Sequence, residues 1–405
     1  MPVNNMTVSQ ASQVLNEIVQ QATGQQQIRP ITNPQDFVSV AQTALLNNTD
    51  QVMNAISQMW GRTIFSVRDY NAPLSSLEMD IDRWGNATRK LSPVAKGVKN
   101  DEGFEWPVFF DAAKGSNPTG EGEAVDHYKI AKQEVLQTNF YGTAVYMQPY
   151  TIFMTQFDTA FRGPEEFARF NSMLMSERYN DRESFKEGIA RGLQANYIAS
   201  IIKEGQNSRV VHLLRDYNTE TGLELTAQTV KKPENFAPFI RWAYAKINFT
   251  ANLMSQRSQM FQTVINNKPV LRHTPAQDMR LAVFSEYMEQ IRTMVLSDTY
   301  HDNLLRLMKL DEVAFWQNIE TPDSVAVNPV YTGTNGQVIT SDSEIEQAGI
   351  FAVLHDRDAL GYRSVYDRVR VTPVNAAAEY YNEYYHSTFK TVSDMTEKGV
   401  VFLMD

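Results

Sequence analysis

Apolar and polar positions change their period several times along the 405-residue chain, and each change marks an expected element. In residues 1–33, rich in Gln and Asn, Val14, Leu15, Ile18 and Val19 fall at helical spacing, while Gly24, Pro30 and then Pro34 punctuate the segment. It reads either as a flexible tail or as an arm that orders against a neighbouring subunit. Asn33-Pro34-Gln35-Asp36 opens an expected helix with Phe37, Val40, Ala41, Ala44 and Leu45 on one face, and a second, from about Asp50 to Trp60, stops at Gly61. From 62 to 150 the period shortens. The β-rich pieces Thr63–Val67, Glu105–Phe110, Ala124–Val135 and Thr138–Met147 alternate with turn residues such as Asn71-Ala72-Pro73, Ser92-Pro93 and the run Lys114–Gly120. Such a stretch does not easily close its own core. It predicts an extended excursion whose aromatics, Trp84, Trp106, Phe109 and Phe110, form a binding surface.

The strongest helical pattern covers residues 164–204. Gly163-Pro164-Glu165-Glu166 is a good start, and a break is expected near Tyr179-Asn180-Asp181, where Asn180 and Glu183 make a cap-like pair. Unbroken, the stretch would reach roughly 60 Å at about 1.5 Å per residue. A compact chain of this length has a radius of gyration of only about 22 Å, so the pattern suits a flat, elongated molecule. Gly188 and Gly192, one turn apart, leave either a groove for another segment or a site of tight packing within the subunit.

Residues 235–320 read as α/β: a helix at Asn235–Phe249, a strand at Met279–Phe284, and helical pieces at Ser285–Val295 and Thr299–Leu310. Residues 320–349 read as a long polar loop whose Asn335-Gly336 signals a hairpin tip. The remainder is β: Ile350–Leu354 is a buried-type strand, Val365, Val369 and Val371 alternate with polar neighbours, a tyrosine-dense run spans 380–386, and Val400–Leu403 closes a sheet.

Composition narrows the function. Hydrophobic residues make up 42%, with 21 Phe, 18 Tyr and 5 Trp, enough for a substantial core. The absence of Cys excludes disulfides, thiolate metal sites and thiol nucleophiles. A net charge of −10 argues against a dedicated nucleic-acid binder. The first basic residue is Arg29 and the longest apolar run, Val400–Met404, is far too short for a membrane span, so a soluble chain made in a cytoplasm is expected. None of the hydrolase, zinc-protease, P-loop or dinucleotide motifs occurs, and the six His are scattered. His355-Asp356-Arg357-Asp358 could ligate a metal, but it follows a strand directly and is better read as a strand-end turn. Asp80-Ile81-Asp82 is either a carboxylate pair or a solvated face, and Glu121-Gly122-Glu123 looks like exposed acid. No cofactor, metal or catalytic residue is expected. Carboxylate pairs made by the fold are invisible at this level, so a carboxylate-dependent hydrolase stays open as an alternative.

The order of pieces resembles the major capsid proteins of tailed phages (the HK-97 or Johnson fold), most closely those of phi-29-like small short-tailed phages. Three stretches carry the likeness: Val135–Tyr141 through Gln148-Pro149-Tyr150-Thr151-Ile152 ahead of the long helix; Phe351-Ala352-Val353-Leu354-His355-Asp356-Arg357-Asp358; and Glu379–His386 leading to Val400-Val401-Phe402. The resemblance implies an α+β fold with an N-terminal arm (1–62), an extended β loop (63–140), a peripheral domain with a spine helix (141–235, the helix at Asn180–Glu204), an axial domain (236–371) and a C-terminal β segment returning to the peripheral domain (372–405). It further implies a non-catalytic subunit of an icosahedral head around double-stranded DNA, built in the host bacterial cytoplasm from pentamers and hexamers. Its partners would be a scaffolding protein, a portal at one vertex and weakly contacted DNA, with no membrane. Candidate contacts between subunits are Trp84, Trp106, Phe109, Phe110, Val14 and Ile18. A portal or tail component is the other virion reading.

Overall fold

Strands whose apolar residues run without alternation must bury both faces, and the chain resolves that demand around one central sheet. The computed structural model describes residues 73–79, 87–96, 132–141, 144–153, 164–205, 208–288 and 309–405. In chain order these form β1 (Ala87–Pro93), β2 (Val135–Tyr141), β3 (Ala144–Phe153), α1 (Pro164–Glu204), β4 (Val210–His212), α2 (Leu213–Thr221), α3 (Pro233–Ser255), β5 (Met279–Phe284) and β6 (Lys309–Val313). There follow β7 (Val325–Val327), β8 (Val330–Thr332), β9 (Val338–Thr340), β10 (Ile345–Gln347), β11 (Ile350–Asp356), β12 (Leu360–Val371), β13 (Tyr380–Ser393) and β14 (Gly399–Leu403).

The central sheet has the order β4-β14-β11-β5-β6. β11 and β14 are buried at every position, and β5 at all but one. Phe351 of β11 stacks on Tyr287 and meets Tyr244 of α3 edge-on. α3 starts at Pro233, whose missing N–H costs nothing at a first turn, and buries Phe239, Ala243, Ile247 and Met254. The second sheet, β12-β13-β3, is antiparallel and carries the tyrosine-dense run on β13. The segment 372–405 divides between the two sheets: β13 pairs with β12 and β3, whereas β14 enters the central sheet beside β11. The 371/372 boundary expected from the sequence therefore falls between β12 and β13, which pair along most of their length.

Several expectations need correction. α1 runs unbroken through Tyr179-Asn180-Asp181. Asn180 makes no cap, its Oδ1 being buried without a partner, and contacts on either side of it hold the helix straight: Arg178 to Glu383 at 2.8 Å, Tyr150 to Asp181 at 3.0 Å, and an Arg182–Asp367 ion pair. Tertiary packing thus overrides a local capping signal. A Cβ added at Gly188 or Gly192 would meet nothing within 4 Å, so tight packing against the described residues does not explain them. The stretch expected as one strand, Thr138–Met147, is two strands in different sheets. Ser92-Pro93 is the end of β1 rather than a turn, with Pro93 opposite Val135. Lys309 and Leu310 lie in β6 rather than a helix, because parallel pairing with β5 buries Val313. Residues 320–349 hold two small ribbons, β7-β10 and β8-β9, instead of a loop. The Asn335-Gly336 tip does close β8 onto β9, with Gly336 at φ 77°, where a side chain would be strained.

Candidate assembly surfaces

β1 and β2 form a two-stranded ribbon, paired from Ala87 opposite Tyr141 to Pro93 opposite Val135. Leu91 and Val135 are more than half exposed on it. The ribbon is tied to the body mainly by polar groups. Lys90 reaches 304 residues along the chain to Asp394, at 2.7 Å, and also pairs with Glu397. Arg272 binds Glu397 at 2.6 Å and donates to Ser92 Oγ at 2.8 Å. The Thr396 hydroxyl and backbone N–H donate to Asp394 at 2.6 and 2.9 Å. Lower on the ribbon, Ala95 N–H donates to Pro269 O at 2.8 Å, and Lys268 pairs with Glu134 at 2.9 Å. Both carboxylates of this knot are almost fully buried. Burial raises the Glu397 carboxyl above its ordinary value against the pull of Lys90 and Arg272. For Asp394 burial also acts upward, but Lys90 and the Thr396 donors outweigh it and hold the group below its usual range.

The second surface is the β12-β13-β3 sheet. Alternation along β13 sends Tyr381, Glu383 and Tyr385 toward α1. There Arg178 pairs with the fully buried Glu383, donates to the Tyr385 hydroxyl at 2.6 Å, and lies over the Tyr150 and Tyr385 rings. The opposite face is open. Val145, Met147 and Phe153 on β3 are each about half exposed, Phe153 lies against Tyr380, and Arg368 covers the exposed Tyr366. Among the described residues β3 pairs with β13 alone, at the edge of this sheet.

No group of three or more His, Asp or Glu able to hold a metal occurs among the described residues. His355-Asp356-Arg357-Asp358 is the end of β11 and its turn: His355 is buried with its Nδ1 2.8 Å from Asp356 O, and Asp356 accepts from the Thr274 hydroxyl and the Asp358 N–H. Burial holds the His355 ring below its ordinary pKa, which keeps it neutral. Trp84, Trp106, Phe109, Phe110, Val14 and Ile18, and the acidic pairs at 80–82 and 121–123, lie outside the described residues. Sequence reasoning missed Lys90, Arg178, Arg272, Asp394 and Glu397. The one local hint was the polar, charged run Asp394–Lys398 set immediately before a wholly apolar strand.

A long helix braced across an antiparallel sheet, a central mixed sheet and a two-stranded ribbon make an HK-97-like fold. The fold is similar to a chain in the capsid structure of Staphylococcus phage Andhra (TM-score 0.52, 9% identity, 83% of this chain and 84% of that one). Chains from bacteriophage P68, in a structure of head fiber and inner core protein gp22 (TM-score 0.49, 8% identity, 83% and 85%), and from the mature capsid of bacteriophage PhiM1 (TM-score 0.42, 9%, 84% and 88%) are also similar. No curated protein matches the chain. The profile of the Phi29-like phage major capsid proteins matches residues 15–402, and the chain belongs to that family. Its role is structural: it is a virion component that forms the phage shell from identical copies and is not an enzyme.

Proposed function

We propose that this chain closes into an icosahedral head of pentamers and hexamers around double-stranded DNA, assembling in the host cytoplasm with a scaffolding protein and a portal at one vertex. The observation that supports this reading best is the exposed apolar face of the β12-β13-β3 sheet, where Val145, Met147 and Phe153 are each about half exposed in the single chain. Apolar area of this kind is worth about 25 cal/mol per Å² once buried, and permanent interfaces bury roughly 2,000–5,000 Å². Rings of identical copies require a patch on one subunit to meet a different patch on the next. In this reading the ribbon roots the extended loop, α1 is the spine, and residues 1–62 are the arm. The arm and loop supply the second patch through Val14, Ile18, Trp84, Trp106, Phe109 and Phe110. The net charge of −10 leaves DNA only weakly attracted, which favours packing and release. Electron microscopy of the chain expressed with its scaffold tests the proposal. Closed shells with five-fold vertices are expected, and a single ring of about a dozen copies or a persistent monomer overturns it.

A further inference from the structure

A cavity of about 550 Å³ opens where the two sheets meet, lined by Ser76–Met79, Arg280 of β5, His355 of β11, the β11–β12 turn, and Leu360 and Arg363 of β12. Its size lies within the range of small-molecule sites. The charges around it are unequally matched. Glu78 is 3.4 Å from Lys186, Arg357 is shared between Asp278 and Asp358, and Asp311 accepts from Ser76 at 2.5 Å. Arg280 and Arg363 form no ion pair among the described residues, and each keeps a buried nitrogen, Nη1 and Nε respectively, without a hydrogen-bond partner. A half-buried guanidinium left this way is costly, and two converging on one cavity point to something that satisfies both.

We propose that this cavity is an oxyanion site in which a phosphate-type anion bridges Arg280 and Arg363. Planar guanidinium forks match the oxygens of a tetrahedral anion, and the buried His355 and Leu360 form part of the cavity wall beside them. Because Arg280 stands on the central sheet and Arg363 on the three-stranded sheet, the bound anion ties the two sheets together across the β11–β12 turn. The site is independent of the assembly reading and is tested on the purified chain.

The experiment measures thermal unfolding and calorimetric binding with inorganic phosphate, against chloride at matched ionic strength. Phosphate is expected to raise the midpoint saturably, and Arg280→Gln and Arg363→Gln each to weaken phosphate binding about tenfold or more. Without phosphate both variants should be as stable as the parent or more so, because each loses a half-buried guanidinium that has a buried nitrogen without a partner. Lys231→Gln, on a surface pair with Glu286, should keep the full phosphate response. Equal stabilisation by phosphate and chloride overturns the proposal, as does a phosphate response that survives both arginine substitutions. Marked destabilisation of the phosphate-free variants also overturns it, since the arginines would then be structural. Variants that block assembly while the parent binds no phosphate overturn it too, in favour of an acidic side chain from a second copy.

Discussion

Replacing Lys90 with Met keeps the stem and removes the charge that joins the ribbon to the body. Its partners are the most buried acids of the knot, with side chains 2% (Asp394) and 8% (Glu397) exposed, while Lys90 itself is 23% exposed. Breaking a fully buried pair costs about 3–5 kcal/mol, because the remaining charge is left unmatched. Here the loss is smaller. Glu397 keeps Arg272 at 2.6 Å, Asp394 keeps two donors from Thr396, and Lys90 is partly solvated. The expected destabilisation is about 2 kcal/mol. Chemical denaturation of the purified chain reads it directly. The double variant with Glu397→Gln should lose less than the sum of the singles, because the second change removes an acid already stranded by the first. The ribbon's direction should loosen as well, so particle yield should fall more steeply than stability. A change below about 0.5 kcal/mol, or strict additivity of the pair, would refute the reasoning that this knot orients the ribbon.

Three further outcomes follow from the same geometry. Gly399→Ala places a Cβ into the buried Tyr197 hydroxyl, so a loss of about 1–3 kcal/mol is expected, partly recovered by Tyr197→Phe; a neutral Gly399→Ala would contradict the packing. Asp394 is held below its ordinary 3.8, so its contribution is present above that pH and is lost as pH falls through the lower folded value. The stability gap between the parent and Asp394→Asn should therefore be widest above pH 3.8 and close below it, and a gap that widens in acid would reverse the sign. Removing residues 1–33, or changing Trp106 to Ala, should leave circular dichroism and unfolding of the chain unchanged while impairing assembly, and normal particles from both variants would contradict the assigned contacts.

What could be read in advance was whatever short-range pattern dictates. The apolar runs at Met279–Phe284, Ile350–Leu354 and Val400–Leu403 have no polar alternation, and they occupy the buried sheet. The alternation at Val365–Val371 predicted a strand with one solvated face, and β12 has it. What could not be read depends on pairing across distance. Lys90 looks like any surface lysine until Asp394 and Glu397 are brought beside it from 304 and 307 positions away. Asn180 carries a capping signal that is correct locally and loses to the ion pairs of Arg178 and Arg182 with β13 and β12. The ends of β1 and the division of β2 from β3 are set by which sheet each strand joins, information that hydrophobic period does not hold.

The continuity of α1 limits how a subunit can deform. Toward its C-terminus Ala195, Tyr197, Ile198 and Ile201 are embedded in the main core, while Arg178 and Arg182 clamp it to the three-stranded sheet. One uninterrupted rod fastened at both places acts as a strut, so neither sheet can swivel without carrying the other. A closed surface needs its tiles to meet at more than one dihedral angle. With the strut stiff, that adjustment must come from the parts it does not span, among them the ribbon on its polar root.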